Sequence, residues 1–465
     1  CEGDSVLLTT TSTNASSFEW RNLDSLRWSE VGNAGISAGT ANYQSLAIDP
    51  YGIPYVAYQD LTNNGKTTVL KFDSGNWVTV GAAGFSAGSA DYQSLAIDPS
   101  GTPYVAYRDG ANSNQTTVMK FDGSTWVTVG TVGFSSGDSR DQSLAIDASG
   151  TPYVAYRQTS IGSKATVMKF DGTAWVTVGN AGFSLNSVFY TSLAINASGV
   201  PYVAYRDGVA KKATVMKFNG TAWVTVGNAS FSAGESGFHS LAIDSSNIPY
   251  VAYQDFGNNL KTTVMKYDGT AWVSVGTAGF SAGKAYLQSL SIAPSGTPYV
   301  TYQDAGNSNK ATVMKFNGTA WETVGSAGLS NGSTFYHSLA INSSGIPYVV
   351  YQDSPNNNKT TVMKFDTDPI ATSSNIWIKN GETYQVKAIN GEFSDSDEIK
   401  VEYLKSSSIT ESQGACNSYS WRGMTFTQSG TYYDTIPNAA GCDSLMTLNL
   451  TIHPDPAFLI TSKTI

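Results

Sequence analysis

Short runs of hydrophobic and β-branched residues alternate with turn residues along most of the chain. In one stretch, the runs Ser94 to Ile97, Tyr104 to Tyr107, Thr116 to Phe121 and Trp126 to Val129 are separated by segments rich in Gly, Asp, Asn, Pro and Ser. Val, Ile, Thr, Tyr, Phe and Trp favour strands, whereas the intervening residues favour turns. The stretch therefore predicts four short β-strands in succession.

This stretch is one unit of an internal repeat. Ser-Leu-Ala-Ile, with one variant copy, begins at Ser45, Ser94, Ser143, Ser192, Ser240, Ser289 and Ser338, in steps of 49 or 48 residues. Trp followed by x-x-Val-Gly recurs at Trp28, Trp77, Trp126, Trp175, Trp223, Trp272 and Trp321. Four strands per repeat of this length are typical of a β-propeller blade. The seven copies predict a seven-bladed β-propeller over residues 25–365.

The two ends of the repeat favour a closed ring. The first motif is a Trp strand at residues 26–31, and the last is a third strand from Thr360 to Phe365 with no Trp strand after it. One blade is therefore expected to combine the N-terminal strand with three C-terminal strands, which leaves no open sheet edge. A β-solenoid is the alternative fold, but it gives no reason to split one unit between the two ends.

The flanks of the repeat resemble a known kind of module. The segments concerned are the opening CEGDSVLL, the SFEW that ends at Trp20, and the later GETYQVKAINGEFSDSDEIKV. They resemble immunoglobulin-like modules of Bacteroidota surface proteins. The resemblance implies one β-sandwich split between residues 1–24 and 366–404, with the propeller inserted in a loop. Chain ends that lie close together tolerate such insertions.

Residues 405–453 are expected to form a separate small β module. Its sequence CNSYSWRGMTFTQSGTYYDTIPNAAGCDSLMTLNLTI resembles a β repeat of secreted Bacteroidota proteins. The resemblance implies a disulfide between Cys416 and Cys442, and it leaves Cys1 without its usual partner. Residues 454–465 look like the first strand of a following module. The chain thus resembles one period of a longer array.

Composition and charge narrow the range of functions. Charged residues make up 14% of the chain and the net charge is −9, which disfavours nucleic acid as a partner. No apolar run approaches the ~18 residues of a transmembrane helix. The three cysteines and three histidines form no familiar metal-binding or nucleophile motif. The sequence predicts no metal site and no cofactor.

One face of the predicted propeller is a candidate binding surface. Loops after the first and third strands repeat their turn sequences, whereas loops after the second and fourth strands differ between blades, and we call the side of these loops the variable face. Aromatic and polar residues of this face are Tyr43, Gln44, Tyr92, Gln93, Gln142, Tyr190, Phe238, His239, Gln288, Tyr336 and His337, and all of them except Gln142 are predicted to bind a ligand. Such pairs suit sugars, since aromatic rings stack on sugar faces while amides bond hydroxyls. The alternative is that these residues only plug the axial channel.

The charged residues of the variable face do not predict a specific function. Arg108, Arg157 and Arg206 follow the second strand in three consecutive blades, and ion pairs with Asp109 and Asp207 are favoured over an anion site. Most carboxylates recur at turn positions, and no two form an evident axial pair of the kind that glycosidases use. The expectation is that the chain is not an enzyme and has no catalytic residues.

The sequence therefore predicts a non-catalytic segment of a large extracellular adhesin or surface filament. The proteins that the flanks resemble are commonly adhesins exported by the type 9 secretion system, which implies a cell-surface location. Two alternatives stay open, a carbohydrate-binding lectin propeller and a purely structural fibre subunit. The expected partners are a cell-surface glycan or protein, or neighbouring copies in a fibre, with no nucleic acid and no transmembrane segment.

Overall fold

The computed structural model describes residues 27–366, 408–437 and 443–453, together with strands at 5–9, 17–22, 375–379, 383–390 and 393–400. The chain divides into two compact units, one of residues Arg27–Asp366 and one that combines Cys1–Leu26 with Thr367–Ile465. Each unit is described by itself. Among the described residues, no helix is long and apolar enough to cross a membrane.

Seven antiparallel sheets of four strands make up the first unit, which confirms the predicted all-β, seven-bladed propeller. We number the blades 1 to 7 by their innermost strands, which are Ala41–Ile48, Ala90–Ile97, Ser139–Ile146, Val188–Ile195, Ser236–Ile243, Ala285–Ile292 and Thr334–Ile341. The second strands are Pro54–Asp60, Pro103–Asp109, Pro152–Gln158, Pro201–Asp207, Pro249–Asp255, Pro298–Asp304 and Pro347–Asp353.

The outer half of each blade completes the sheet. The third strands are Lys66–Asp73, Gln115–Phe121, Lys164–Phe170, Ala213–Phe218, Lys261–Tyr267, Lys310–Phe316 and Lys359–Asp366. The outer strands are Asn76–Thr79, Trp126–Thr128, Trp175–Thr177, Trp223–Thr225, Trp272–Ser274, Trp321–Thr323 and, for blade 7, Arg27–Glu30. Short 3₁₀ helices follow six of the second strands: Leu61–Asn63, Gly110–Asn112, Thr159–Ile161, Phe256–Asn258, Ala305–Asn307 and Ser354–Asn356.

Blade 7 joins the two ends of the propeller. Its outer strand pairs with the third strand in an antiparallel register that places Arg27 opposite Asp366 and Trp28 opposite Phe365. The backbone pairing that other blades make within one repeat is here made between residues more than 300 positions apart. The ring is therefore closed by hydrogen bonds rather than by packing alone.

The serine of Ser-Leu-Ala-Ile links neighbouring blades around the axis. Ser45 Oγ accepts a hydrogen bond from the backbone N–H of Leu95 at 2.9 Å, and Ser338 Oγ accepts from the N–H of Leu46 at 3.1 Å, which closes the circle. Equivalent bonds of 2.9–3.0 Å join the other five pairs of blades. The small hydroxyl residue is thus a structural link between neighbouring blades.

The repeated tryptophan links the outer parts of the blades. Trp126 Nε1 donates to the backbone oxygen of Val80 in the preceding blade at 2.7 Å, and its ring stacks on Phe85 with centroids 4.2 Å apart. All seven tryptophans donate to the preceding blade at 2.6–2.7 Å. Between the blades lie hydrophobic clusters of Val, Leu, Tyr and Trp, one at each of the seven interfaces.

Strands on both sides of the propeller in the sequence pair with each other in the second unit. Ser5–Thr9 pairs with Asn375–Lys379, and Ser17–Asn22 pairs with Thr383–Asn390, which also pairs with Phe393–Lys400. All three pairings are antiparallel. The immunoglobulin-like identity of this unit stays a prediction.

The C-terminal strands surround a small core. They are Ser408–Cys416, Tyr419–Trp421, Met424–Phe426, Gly430–Pro437 and Asp443–His453. Ser408–Cys416 and Asp443–His453 run parallel, and Trp421, Met446, Leu448 and Leu450 are buried between the strands.

The predicted disulfide of this module is not shown. Cys416 is exposed and has a free thiol, and Cys442, its predicted partner, lies outside the described residues. The burial of Trp421 and the neighbouring apolar side chains forms the core without a crosslink. Cys1 and residues 454–465 also lie outside the described part of the chain.

Candidate functional site

A β-bulge interrupts every innermost strand near its first residues. In blade 1 the pairing passes from Asn42–Gln59 to Ser45–Ala57, so Tyr43 and Gln44 together face a single residue of the second strand. The same register break occurs in the other six blades. Bulges redirect side chains and are frequent beside functional sites. Here they turn two residues per blade toward the axis on the variable face.

The first residue of each bulge has a left-handed backbone conformation. These residues are Tyr43, Tyr92, Asp141, Tyr190, Phe238, Leu287 and Tyr336, with φ between 49° and 57°. We call them the rim ring. A non-glycine residue in this conformation costs about 1–2 kcal/mol. The fold maintains this strain at all seven blades, with large side chains rather than glycine.

Aromatic side chains of the rim ring touch across blades. The Tyr43 ring lies 5.1 Å from that of Tyr92 and 4.9 Å from that of Tyr336, measured between centroids. On the opposite side of the axis, Tyr190 and Phe238 are 5.0 Å apart. All of these side chains are half-buried. The rim ring therefore presents two arcs of aromatic surface around the axis, interrupted by Asp141 and Leu287.

The second residue of each bulge forms a deeper, polar layer. This polar ring consists of Gln44, Gln93, Gln142, Thr191, His239, Gln288 and His337, all of them buried. Gln44 Nε2 donates to the backbone oxygen of Ala41 at 2.8 Å, and His337 Nε2 bonds the Thr334 hydroxyl at 2.7 Å. One end of each side chain is thereby held by the blade.

The other end of most polar-ring side chains has no protein partner. Buried atoms without a hydrogen bond are the Oε1 of Gln44, Gln93, Gln142 and Gln288 and the Nδ1 of His239 and His337. Buried polar atoms in proteins are nearly always satisfied, by protein, by ordered water or by a ligand. Six such atoms around one axis mark a place that water or a polar ligand completes.

The two rings enclose an axial depression of about 250 Å³. Its lining includes every residue predicted to bind a ligand, namely Tyr43, Gln44, Tyr92, Gln93, Tyr190, Phe238, His239, Gln288, Tyr336 and His337, and it also includes Gln142. Thr191 and Leu287 also line it, and the sequence prediction missed both. Their place in the repeat identifies them, since they stand at the same two bulge positions. The ligand-binding role of these residues stays a prediction.

Burial controls the charge of the depression. Desolvation lowers the pKa of His239 and of His337 to about 3, so both imidazoles are neutral at physiological pH. Desolvation and the neighbouring Tyr336 and Tyr92 raise the pKa of Tyr43 to about 12. His239, His337 and Tyr43 are therefore uncharged hydrogen-bonding groups near physiological pH.

Asp141 is the one carboxylate of the rim ring. Burial raises its pKa, while Arg157, whose Nε lies 3.4 Å from Asp141 Oδ2, acts in the opposite direction. The backbone N–H of Tyr190 also donates to Oδ2 at 3.2 Å. Asp141 is therefore held between blades 3 and 4 by groups that favour its ionised form.

The arginines at the end of the second strands do not share one environment. Arg108 contacts Asp91 at 3.2 Å and Asp138 at 2.8 Å, and Arg157 pairs with Asp141. These partners differ from the predicted Asp109 and Asp207. Both predicted aspartates instead accept hydrogen bonds from their own loops, for example from the N–H of Ala111 and of Val209.

Comparison with known proteins identifies a fold but no family. No family model matches the chain, and no curated protein matches it. An ulvan lyase from a new polysaccharide lyase family, solved with a GlcA–Rha3S ligand, is 13% identical, with coverage of 75% of this chain and 98% of the lyase and a TM-score of 0.50. This similarity is that of the fold.

Other propellers match less closely in structure. A lectin from Aleuria aurantia solved with Fucα1-6GlcNAc is 18% identical, covering 63% of this chain and 97% of the lectin, with a TM-score of 0.43. An α-L-arabinanase from Penicillium chrysogenum solved with arabinobiose is 14% identical, covering 60% of this chain and 93% of the enzyme, with a TM-score of 0.40.

These comparisons correct the expectation that the chain is not an enzyme. The fold that the chain shares at a TM-score of 0.50 is that of a polysaccharide lyase, so propeller architecture gives no ground for excluding catalysis. The sequence criterion was an axial pair of carboxylates, which is the signature of glycoside hydrolysis. It does not test other reactions on polysaccharides.

Proposed function

We propose that this chain is part of a secreted cell-surface adhesin whose propeller binds carbohydrate in the axial depression. The observation that carries the proposal is the combination of half-buried aromatic faces in the rim ring with buried, unpartnered polar atoms directly beneath them. A sugar has an apolar face and a rim of hydroxyls, so it can stack on the first layer while it bonds the second.

The size of the depression favours a single sugar residue. Its volume of about 250 Å³ is below the ~300–1,000 Å³ typical of pockets that enclose drug-sized molecules. The opening lies on the variable face, where a longer chain can extend over neighbouring blades. We therefore propose that one sugar unit of a larger glycan occupies the depression. Several propellers in one array would add avidity to weak single contacts.

A glycan array probed with the full chain tests this proposal. The test variant combines Tyr43→Leu with Tyr336→Leu, because blade 6 already carries Leu287 at this bulge position and the backbone tolerates it. We expect saturable binding by the parent chain and at least tenfold weaker binding by the variant, since two aromatic faces are lost. Calorimetry with the best glycan measures the change.

Tyr51→Leu is the matched control. Tyr51 is 81% exposed and lies in a turn on the opposite face of blade 1, so its loss should leave binding unchanged. Mass spectrometry of the recovered glycan distinguishes simple binding from cleavage. An absence of saturable binding, or equal binding by the Tyr43→Leu/Tyr336→Leu variant, contradicts the proposal. Self-association without glycan binding would instead favour the fibre subunit.

A further inference from the structure

One position of the repeat carries a different residue type in two groups of adjacent blades. The penultimate residue of each second strand, in blade order, is Gln59, Arg108, Arg157, Arg206, Gln254, Gln303 and Gln352. Three adjacent blades thus carry arginine where the other four carry glutamine. The position lies close to the rim ring without lining the axial depression, because it pairs in register with the residue just before each rim-ring residue.

Glutamine at this position usually bonds to the next blade. Gln254 Nε2 donates to the backbone oxygen of Ala285 at 2.7 Å, and Gln352 Nε2 donates to that of Ala41 at 2.7 Å. The bond joins a second strand to the neighbouring innermost strand. Arginine in blades 2 and 3 has a different use, since both Arg108 and Arg157 meet carboxylates.

Arg206 follows neither pattern. Within the part of the chain that the structure describes, its side chain has no hydrogen bond and no ion pair, and its Nε is buried without a partner, as is the Nε of Arg157, which does have an ion pair with Asp141. Its recorded contact is with the ring of Phe189, whose centroid lies 5.5 Å from the guanidinium carbon. Leaving the donors of a charged group unsatisfied is costly. An arginine in this state is suited to an anion that comes from outside the chain.

Arg206 is the one arginine of blades 2 to 4 without an ion pair to a described carboxylate. Around blades 2 to 4, Arg108, Arg140 and Arg157 pair with Asp91, Asp138 and Asp141. Arg206 has no counterpart among these aspartates. The nearby Lys211 is balanced by Glu235 at 3.0 Å. A chain with a net charge of −9 therefore retains an arginine without an ion pair close to the rim ring.

The next blade offers Arg206 no side chain at the position from which Phe189 packs on Arg157. Phe189 of blade 4 packs on the Arg157 guanidinium at 4.9 Å, but the equivalent residue of blade 5 is Gly237. A Cβ at Gly237 would meet only ordinary contacts, the nearest being Phe256 Cε2 at 3.4 Å. Neither backbone conformation nor crowding demands glycine there. The position that Phe189 fills beside Arg157 therefore holds no side chain beside Arg206, and both arginines are half-buried.

We propose that Arg206 binds an anionic substituent, a carboxylate or a sulfate ester, on the glycan whose sugar unit occupies the axial depression. This inference rests on the proposed function and adds the chemical class of the ligand. The planar guanidinium matches the oxygens of either group and remains charged at all relevant pH values. Phe189 directly precedes Tyr190 of the rim ring, so the anion and the stacked sugar can belong to one ligand.

Matched acidic and neutral oligosaccharides test the inference with the full chain. One arm compares oligogalacturonates with their methyl esters, and the other compares sulfated galactan oligosaccharides with desulfated ones. Calorimetry gives the ratio of affinities within each pair. We expect a ratio of at least ten in one arm for the parent chain, which also identifies the anion. Arg206→Gln should bring that ratio close to one, and it introduces the residue that four other blades carry.

Lys212→Gln provides a control for net charge alone. It removes one positive charge from the same loop of blade 4 but should leave the ratio unchanged. Equal affinity for acidic and neutral members in both arms overturns the inference while the proposed carbohydrate site stands. A preference that survives Arg206→Gln in a folded protein also overturns it. If no oligosaccharide of either kind binds, this inference is overturned, and the glycan array decides the proposed function separately.

Discussion

At the scale of single residues, the residue type at each polar-ring position depends on the third strand of the preceding blade. In four of the blades, the third strand carries a threonine that faces the next blade. The polar-ring residue of that next blade is then a glutamine. The bonds run from Gln44, Gln93, Gln142 and Gln288 to the hydroxyls of Thr360, Thr67, Thr116 and Thr262 at 3.3–3.4 Å. Where that third strand has Ala165, Ala213 or Ala311, the polar ring has Thr191, His239 or His337. The imidazole takes the room that alanine leaves.

The buried histidines predict a specific acid sensitivity of the propeller. Their pKa is about 3 when folded, against ~6.5 in an unfolded chain. The unfolded state therefore takes up protons first as pH falls. Stability should be greatest above pH ~6.5 and should fall by about 1.4 kcal/mol per pH unit for each histidine on the way to pH ~3.

The test replaces each histidine together with the alanine that it faces in the preceding blade, rather than the histidine alone. His239→Gln with Ala213→Thr, together with His337→Gln and Ala311→Thr, recreates the glutamine–threonine pair of the other blades. We expect this variant to lose less thermal stability than the parent between pH 6.5 and pH 4. His453→Gln, an exposed histidine of the other unit, should not change the pH profile of the propeller. Parallel profiles for parent and exchanged variant would refute the assignment.

At the scale of elements, the outer strand depends on the glycine that follows it. Gly130 has φ +70°, and a Cβ there would approach Phe170 Cε2 at 3.0 Å and Trp175 Cδ1 at 3.1 Å. The glycine therefore serves two needs, a left-handed backbone and room for the tryptophan of the next blade. This explains why the Trp motif of the sequence ends in Val-Gly.

Two alanine variants, in the neighbouring blades 2 and 3, distinguish the effect of backbone strain from that of crowding. Gly150 also has a positive φ, +83°, but a Cβ there meets nothing within 4 Å. Gly150→Ala should cost about 1–2 kcal/mol from backbone strain alone. Gly130→Ala should cost about 1–3 kcal/mol more, because it also overpacks the contact with Trp175. Thermal or urea unfolding measures both, and equal costs would show that the tryptophan contact is not tight.

At the scale of the whole molecule, closure of the ring depends on a strand from the far end of the repeat. Without Arg27–Glu30, the edge of Lys359–Asp366 would be unpaired, and Val324 would lose the indole of Trp28 that donates to its backbone oxygen at 2.7 Å. Exposed strand edges bind other strands or aggregate. The stability of blade 7 and of its contact with blade 6 is therefore expected to depend on the N-terminal strand.

Complementation tests this dependence. A chain that lacks residues 1–32 should melt at a lower temperature and lose hydrogen-exchange protection mainly in blade 7. A synthetic peptide of residues 25–33 should restore both by adding the missing strand, as peptides do at open sheet edges. The same peptide with Trp28→Ala should restore little. Full stability of the truncated chain without peptide would show that the strand is dispensable.

The sequence by itself determined what repeats. Strand runs, turn residues and the Ser-Leu-Ala-Ile and Trp motifs are local patterns, and seven copies predict seven blades because each unit buries its faces only against neighbours. The same comparison of copies identified the aromatic and polar residues of the variable face. It could not assign roles to serine or glycine, whose partners lie about 50 residues away in the next blade.

Only the tertiary structure decided which residues meet. The bulges bring two positions from each of the seven innermost strands around one axis, and this requires the ring to close. The same closure gives Arg108 and Arg157 carboxylate partners and gives Arg206 none. Sequence spacing is the same for all three arginines, whereas their charges and neighbours come from different blades. Contacts between repeats therefore depend on the assembled ring rather than on the repeat itself.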